Sequence, residues 1–252
     1  MSLLVDIGNS RIKWAVLGEQ GLGAQQADIY SQWGGVQVRT RILDPVLVSQ
    51  PVYIANVGGV AIGELLAATI RDTWGVEPQF VRTTAAAAGV RNGYAQPEKL
   101  GVDRWLAVIG AFREAQRATC VVSVGTAMTV DGVARDGRHI GGIIVPGPDL
   151  MIASLMMNTS DIAAHARDGH HGSSLFAENT LAAVYQGAVH ALAAVVERAM
   201  QDMQTLQHET PLLVLTGGAS DKVEQALRIP YRVVPDLVLR GLAVRAQELQ
   251  SA

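Results

Sequence analysis

Two rhythms of apolar and polar positions run through this chain. Short apolar runs end at glycines, and longer stretches repeat apolar residues every three or four positions. Leu3-Leu4-Val5 ends at Asp6-Ile7-Gly8-Asn9-Ser10, and Arg11 to Leu17 then alternates roughly between polar and apolar. That pattern predicts two strands joined by a Gly-Asn-Ser turn. Residues 21–30 suit an edge strand, and 31–43 a short helix weakened by Gly34-Gly35. A strand over 52–55 leads into Gly58-Gly59. Ile62, Leu65, Leu66, Ile70 and Trp74 then recur at helical spacing, and a short strand is expected over 79–82. Residues 89–104 form a loop rich in glycine, proline and polar groups, after which Trp105, Val108, Ile109 and Phe112 trace a helical stripe.

The order then repeats. Residues 120–133 align with the first hairpin on Gly8 and Gly125: an apolar run, one polar residue, an apolar residue, glycine, then Asn9 or Thr126, then a second strand. The strand and Gly58-Gly59 before a helix recur as 212–216 with Gly217-Gly218. Between them lie an expected strand over 139–145, a Met-rich helix from Asp149, a loop over 158–174 and a long helical pattern over 178–203. A helix to about 227, a strand over 231–234 and a helix from Leu237 complete the chain. Internal similarity of this kind indicates two copies of one unit. The expected domains are 1–117 and 118–252, each a mixed sheet with helices on its faces. The expected architecture is duplicated ribonuclease-H-like, or actin-like (ASKHA), with a nucleotide cleft expected between the halves.

Composition narrows the function classes. Of 252 residues, 49% are hydrophobic and 17% charged, enough for a sizeable core. The net charge of −3 and scattered Lys and Arg argue against nucleic acid as a partner. The single cysteine, Cys120, lies in an apolar strand and reads as a buried small hydrophobe, consistent with a reducing cytoplasm. Asp6 interrupts any signal-peptide core, and no uninterrupted apolar run is long enough to span a bilayer, so no membrane role is expected.

Candidate chemistry gathers at the loops. Asp6, at a strand end beside a small turn with Arg11 and Lys13, fits a phosphate-and-Mg²⁺ hairpin, or else an ordinary turn. Asp103 near a helix start fits either a capping carboxylate or a general base. Thr180 could cap its helix or face the cleft. Gly217-Gly218 could let backbone lie against a ligand. His165, His170 and His171 match no standard zinc spacing and read as a solvated loop.

Four motifs in order, Asp6-Ile-Gly8-Asn9-Ser10, Gly101-Val-Asp103-Arg104, Gly125-Thr126-Ala127-Met-Thr129 and Gly141-Gly142-Ile-Ile-Val-Pro146-Gly147, resemble the type III pantothenate kinases. A close subgroup is the Bvg accessory factor proteins. The resemblance implies ATP-dependent phosphorylation of pantothenate to 4′-phosphopantothenate, the first step of coenzyme A synthesis, by a cytoplasmic homodimer. It implies that Asp6, Ile7, Gly8, Asn9, Ser10, Arg11, Ile12 and Lys13, with Thr126, contact ATP. Asp6 would hold Mg²⁺ through the phosphates. Asp103 would be the general base, and Tyr94, Gly101, Val102, Asp103, Arg104 and Thr180 would contact pantothenate. Arg104 suits the carboxylate as a planar bidentate donor.

Ser123 departs from the pattern, because the family commonly has there an Asp that binds a monovalent cation, K⁺ or NH₄⁺. A neutral hydroxyl is a poorer ligand, so a weaker K⁺ dependence is expected. Two competing functions stand beside the kinase: a nucleotide-binding accessory protein without turnover, and a sugar kinase of the same fold.

Overall fold

A computed structural model describes residues 1–46, 51–166 and 174–251. These group into two units: Met1–Gln116 with Gly137–His139 and Asp236–Ala252, and Arg117–Asp136 with Ile140–Pro235.

The first unit opens with β1 (Ser2–Ile7), β2 (Arg11–Gly18), β3 (Gly21–Leu22) and β4 (Gln26–Ile29). A four-residue α1 (Gly35–Val38) runs into a π-helical turn at Arg39–Leu43. It is followed by β5 (Val52–Asn56), α2 (Val60–Trp74) and β6 (Gln79–Phe80). The small pair β7 (Ala86–Ala87) and β8 (Val90–Arg91) precedes α3 (Val102–Ala115). The sheet order is β3-β2-β1-β5-β6, with β4 also on β2.

Strand β1 is buried along its whole length, which explains its unbroken apolar run. Alternation divides its side chains between two faces. Leu3, Val5 and Ile7 pack with Ile62, Leu66 and Ile70 of α2 in one core cluster. Leu4 and Asp6 therefore point to the opposite face of the sheet. Lys13, the register partner of Asp6 on β2, points the same way.

The second unit holds β9 (Thr119–Val124), β10 (Ala127–Val133), β11 (His139–Pro146), α4 (Pro148–Asn158), α5 (Ser160–His165), α6 (Thr180–Gln207), β12 (Leu212–Thr216), α7 (Ser220–Glu224) and β13 (Arg232–Val233). Strand β11 opens at His139, which belongs to the first unit. The sheet order is β11-β10-β9-β12-β13. In length and composition α6 could cross a membrane. Here Leu192, Val196, Met200 and Met203 pack instead with Cys120, Val122 and Val124 of β9. The last helix, α8 (Leu237–Ser251), belongs to the first unit and packs on α3. The two helices touch backbone to backbone, since a Cβ on Gly241 would lie 1.9 Å from the Leu106 carbonyl oxygen.

The two sheets repeat one plan. In the first, β1 pairs antiparallel with β2 and parallel with β5, and β5 is parallel to β6. In the second, β9 pairs antiparallel with β10 and parallel with β12, and β12 is parallel to β13. The order and direction of four strands are thus the same twice, as the duplicated ribonuclease-H-like reading requires.

Several local expectations need correction. The stretch expected to be a loop over 158–174 contains α5, in which His165 Nδ1 lies 2.7 Å from the Asp161 carbonyl oxygen one turn back. His170 and His171 lie outside the described residues. Helix α3 starts at Val102, three residues before its apolar stripe, so Asp103 lies inside the first turn. Helix α7 ends at Glu224, short of residue 227. Gly217 has φ +98° and packs closely on Val124, whose carbonyl also accepts the Ala219 N–H at 3.1 Å, while Gly218 is exposed.

Candidate active site

Asp6 is the most unusual side chain of the first unit. It is 5% exposed, and its Oδ1 has no hydrogen-bond partner among the described residues. Burial pushes its carboxyl up to about 7, Lys13 opposes that rise, and the Asp103 carboxylate adds to it. A buried carboxylate that lacks a full set of donors disfavours its own charged form. A cation brought to the orphaned oxygen would reverse that cost.

The hairpin beyond Asp6 is held from two directions. The Gly8 N–H closes the turn on the Arg11 carbonyl at 3.0 Å, so this amide is spent within the hairpin. The Tyr30 hydroxyl donates to the Gly8 carbonyl at 2.6 Å and lies 3.0 Å from that of Asn9. Burial pushes the Tyr30 phenol upward, which keeps it a donor. Ile7 and Ile12 are fully buried in the core, so only their backbone could meet a ligand. Asn9, Ser10 and Arg11 are exposed at the turn.

The segment before α3 is pinned at many points. The Thr83 hydroxyl donates to the Leu100 carbonyl, and the Asn92 amide to the carbonyls of Thr84 and Pro97. The Tyr94 N–H donates to Asn92 Oδ1 at 3.0 Å. The Ala88 N–H reaches Glu248 of α8 at 2.8 Å, and the Arg91 N–H reaches the Gly137 carbonyl at 2.9 Å. Residues 84–100 are therefore an ordered shelf, although their composition reads as a loop.

On that shelf Tyr94 meets Arg104. Arg104 is 6% exposed, donates Nη1 to the Tyr94 hydroxyl at 2.9 Å, and places its Cζ 5.7 Å from the ring centroid. Asp103 is half-buried, and its Oδ1 accepts the Arg104 N–H at 2.8 Å. Gly101 occupies the N-cap and has no side chain to cap with, and the Asp103 carboxylate takes up one N–H of the first turn, so Asp103 does part of the work of a cap from inside the helix. Its carboxylate stands in the first turn, where the helix dipole favours negative charge. Val102 is buried and offers only backbone.

The remaining candidates lie in the second unit. Ser123 occupies on β9 the place Asp6 holds on β1, with Thr129 and Thr216 as its register partners on either side. Three hydroxyl side chains thus stand in a row where the first unit has Lys13, Asp6 and Ala55. Thr126 is exposed at the second hairpin turn, and its carbonyl accepts the Gly147 N–H at 2.9 Å. Thr180 is the first residue of α6. The cap is Asn179, whose side chain accepts the Ala182 N–H at 2.9 Å, which leaves the Thr180 side chain outside the capping bond. Among the described residues no cluster of three His, Cys, Asp or Glu could hold a metal by itself.

Two residues of this neighbourhood carry no sequence signal strong enough to single them out. Tyr30 lies in a weakly patterned stretch. His139 opens β11 and stacks on Tyr94, with ring centroids 6.0 Å apart and planes at 18°. Its tie to Tyr94 spans too many residues for periodicity to register.

Residues 2–202 match the family described as type III pantothenate kinase. A type III pantothenate kinase of Nitrosococcus oceani is 36% identical over 257 residues, which span 98% of this chain and 94% of that protein. One from Aromatoleum aromaticum is 39% identical over 253 residues, 98% of each chain. Among solved structures, the activator of the 2-hydroxyisocaproyl-CoA dehydratase of Clostridium difficile, with bound ADPNP, superposes with a TM-score of 0.56. It covers 99% of this chain and 97% of that one at 12% identity, a likeness of fold alone. With the match to the family covering most of the sequence, the chain is a kinase that belongs to the type III pantothenate kinase family.

Proposed function

We propose that the protein transfers the γ-phosphoryl group of ATP to the 4′-hydroxyl of pantothenate, and so opens coenzyme A synthesis. The observation that carries this reading is the buried Asp6 Oδ1 without a hydrogen-bond partner among the described residues, with the Asp103 carboxylate near enough to add to the rise of the Asp6 carboxyl. Phosphoryl transfer asks for charge neutralisation at the phosphates and one placed base at the hydroxyl, with no covalent nucleophile. Two carboxylates within each other's field suit that division of labour.

In this reading the hairpin from Asp6 to Lys13 receives the phosphates, together with Thr126 of the second hairpin. Asp6 Oδ1 is a hard, buried, orphaned oxygen, a donor that suits Mg²⁺. When bound, Mg²⁺ would neutralise and orient the phosphate oxygens. Asp103 accepts the hydroxyl proton. Arg104 pairs with the pantothenate carboxylate, its guanidinium already oriented by Tyr94. Tyr94, Gly101, Val102 and Thr180 complete the substrate contacts.

The clostridial structure that holds ADPNP supports a nucleotide of this kind in the fold. A homodimer, a cytoplasmic location and a weakened K⁺ or NH₄⁺ site at Ser123 belong to the same proposal. An accessory protein that had lost turnover would be expected to lose Asp6, Asp103 or Arg104 first, and all three are present. The test is ADP release with pantothenate as acceptor. Turnover supports the kinase, nucleotide binding without turnover supports the accessory protein, and turnover with other alcohols alone supports a different kinase.

A further inference from the structure

We propose that His139 is a positioning residue for substrate recognition, acting through the ring of Tyr94. The inference rests on the reading above, in which Tyr94 and Arg104 face pantothenate.

His139 is 1% exposed, and its imidazole lies nearly parallel to the Tyr94 ring at 6.0 Å. The Tyr94 hydroxyl in turn receives the Arg104 guanidinium at 2.9 Å. Tyr94 and Arg104, ten residues apart, and the more distant His139 thus form a relay: imidazole on phenol ring, phenol oxygen on guanidinium. Arg104 carries a long side chain with rotamer freedom that substrate binding would otherwise have to quench. The half-buried Tyr94 phenol contributes to its orientation through that bond, and the imidazole of His139 lies against the same ring.

The backbone around His139 is built to deliver it there. Residues 137–139 belong to the first unit although their neighbours on both sides do not. The Gly137 carbonyl accepts the Arg91 N–H, and Arg138 forms a bridge with Arg91. The same shelf that carries Tyr94 therefore also anchors the segment that carries His139. A histidine buried merely to fill space would not need its chain tied to the element bearing its stacking partner.

An aromatic pair of this kind stabilises by an amount equivalent to about a two- to tenfold change in an equilibrium constant. His139→Ala is expected to raise KM for pantothenate about two- to tenfold while kcat and KM for ATP stay nearly constant. His139→Phe, which keeps a flat ring, should restore KM, whereas His139→Leu, similar in bulk but without a ring, should not. In a Tyr94→Ala background His139→Ala should add little, because the pair acts as one. Should the Ala variant not fold, the Phe and Leu variants decide the matter. Equal KM values for Phe and Leu, or a full effect of His139→Ala without Tyr94, would overturn the inference while wild-type turnover keeps the kinase reading. Absence of pantothenate turnover in the wild type would overturn both.

Discussion

The carboxylate of Asp103 leans back over Gly101, so that a Cβ on Gly101 would come 2.7 Å from Oδ1. The backbone of Gly101 is ordinary, with φ −53° and ψ 135°, so glycine is required there by space and not by conformation. Gly101→Ala should therefore fold normally and displace the Asp103 carboxylate. A misplaced catalytic group costs on the order of 10²-fold in rate. The expected result is a fall in kcat of roughly that size, with an unchanged melting temperature and unchanged nucleotide affinity. Wild-type kcat in the Ala variant would show that this contact does not position the carboxylate.

Asp6 makes stability depend on pH. Its carboxyl lies near 3.8 when unfolded and is raised to about 7 in the folded protein, chiefly by burial. Between those values the folded state binds more protons than the unfolded state. Stability contributed by this group is therefore present at low pH and lost as pH rises toward 7. The loss is worth about 1.4 kcal/mol per pH unit. Asp6→Asn should match the wild type near pH 4 and exceed it above pH 7, by a few kcal/mol at most. Denaturant titrations at several pH values read this directly, and parallel profiles for the two proteins would refute it.

Cys120 sits in the core of the second unit, fully buried, and burial pushes its thiol up to about 12, with Asp131 adding to the rise. The thiolate is the reactive form, so the native protein should resist alkylation at pH 8 and react readily once unfolded. Rapid labelling of the folded chain would contradict the packing described for β9.

Ser123 predicts a weak response to monovalent cations. Its register partners Thr129 and Thr216 are neutral, so the row offers hydroxyl oxygens and no carboxylate. Activity should depend only weakly on K⁺, and Ser123→Asp should steepen that dependence. A strict, saturable requirement for K⁺ in the unaltered protein would refute the expectation.

Much of this molecule could be read in advance, for identifiable reasons. The repeated hairpins announced the duplicated sheet because a central strand buried on both faces must be apolar throughout, and glycine must follow where the chain turns. Alternation along Leu3 to Ile7 even implies which side Asp6 takes. The start of α3 escaped because Gly101-Val-Asp103-Arg104 carries no apolar stripe, although all but its N-cap glycine is helical. Helix α5 escaped because six residues are too few for a helical repeat of apolar positions to register. The packing of α8 on α3 follows from contacts more than a hundred residues apart, and an amphipathic pattern does not say which surface will cover it. His139 and Tyr30 were invisible for the same reason: their partners are distant in sequence, and each is one aromatic residue without a motif around it.

The most direct measurement compares Asp103→Asn with the wild type in ADP release driven by pantothenate, alongside nucleotide binding by calorimetry. The substitution keeps size and hydrogen bonding and removes the proton acceptor. Turnover should fall by about 10²-fold or more while the affinity for ATP stays close to that of the wild type. An unchanged rate would exclude Asp103 as the base and contradict the account of this site.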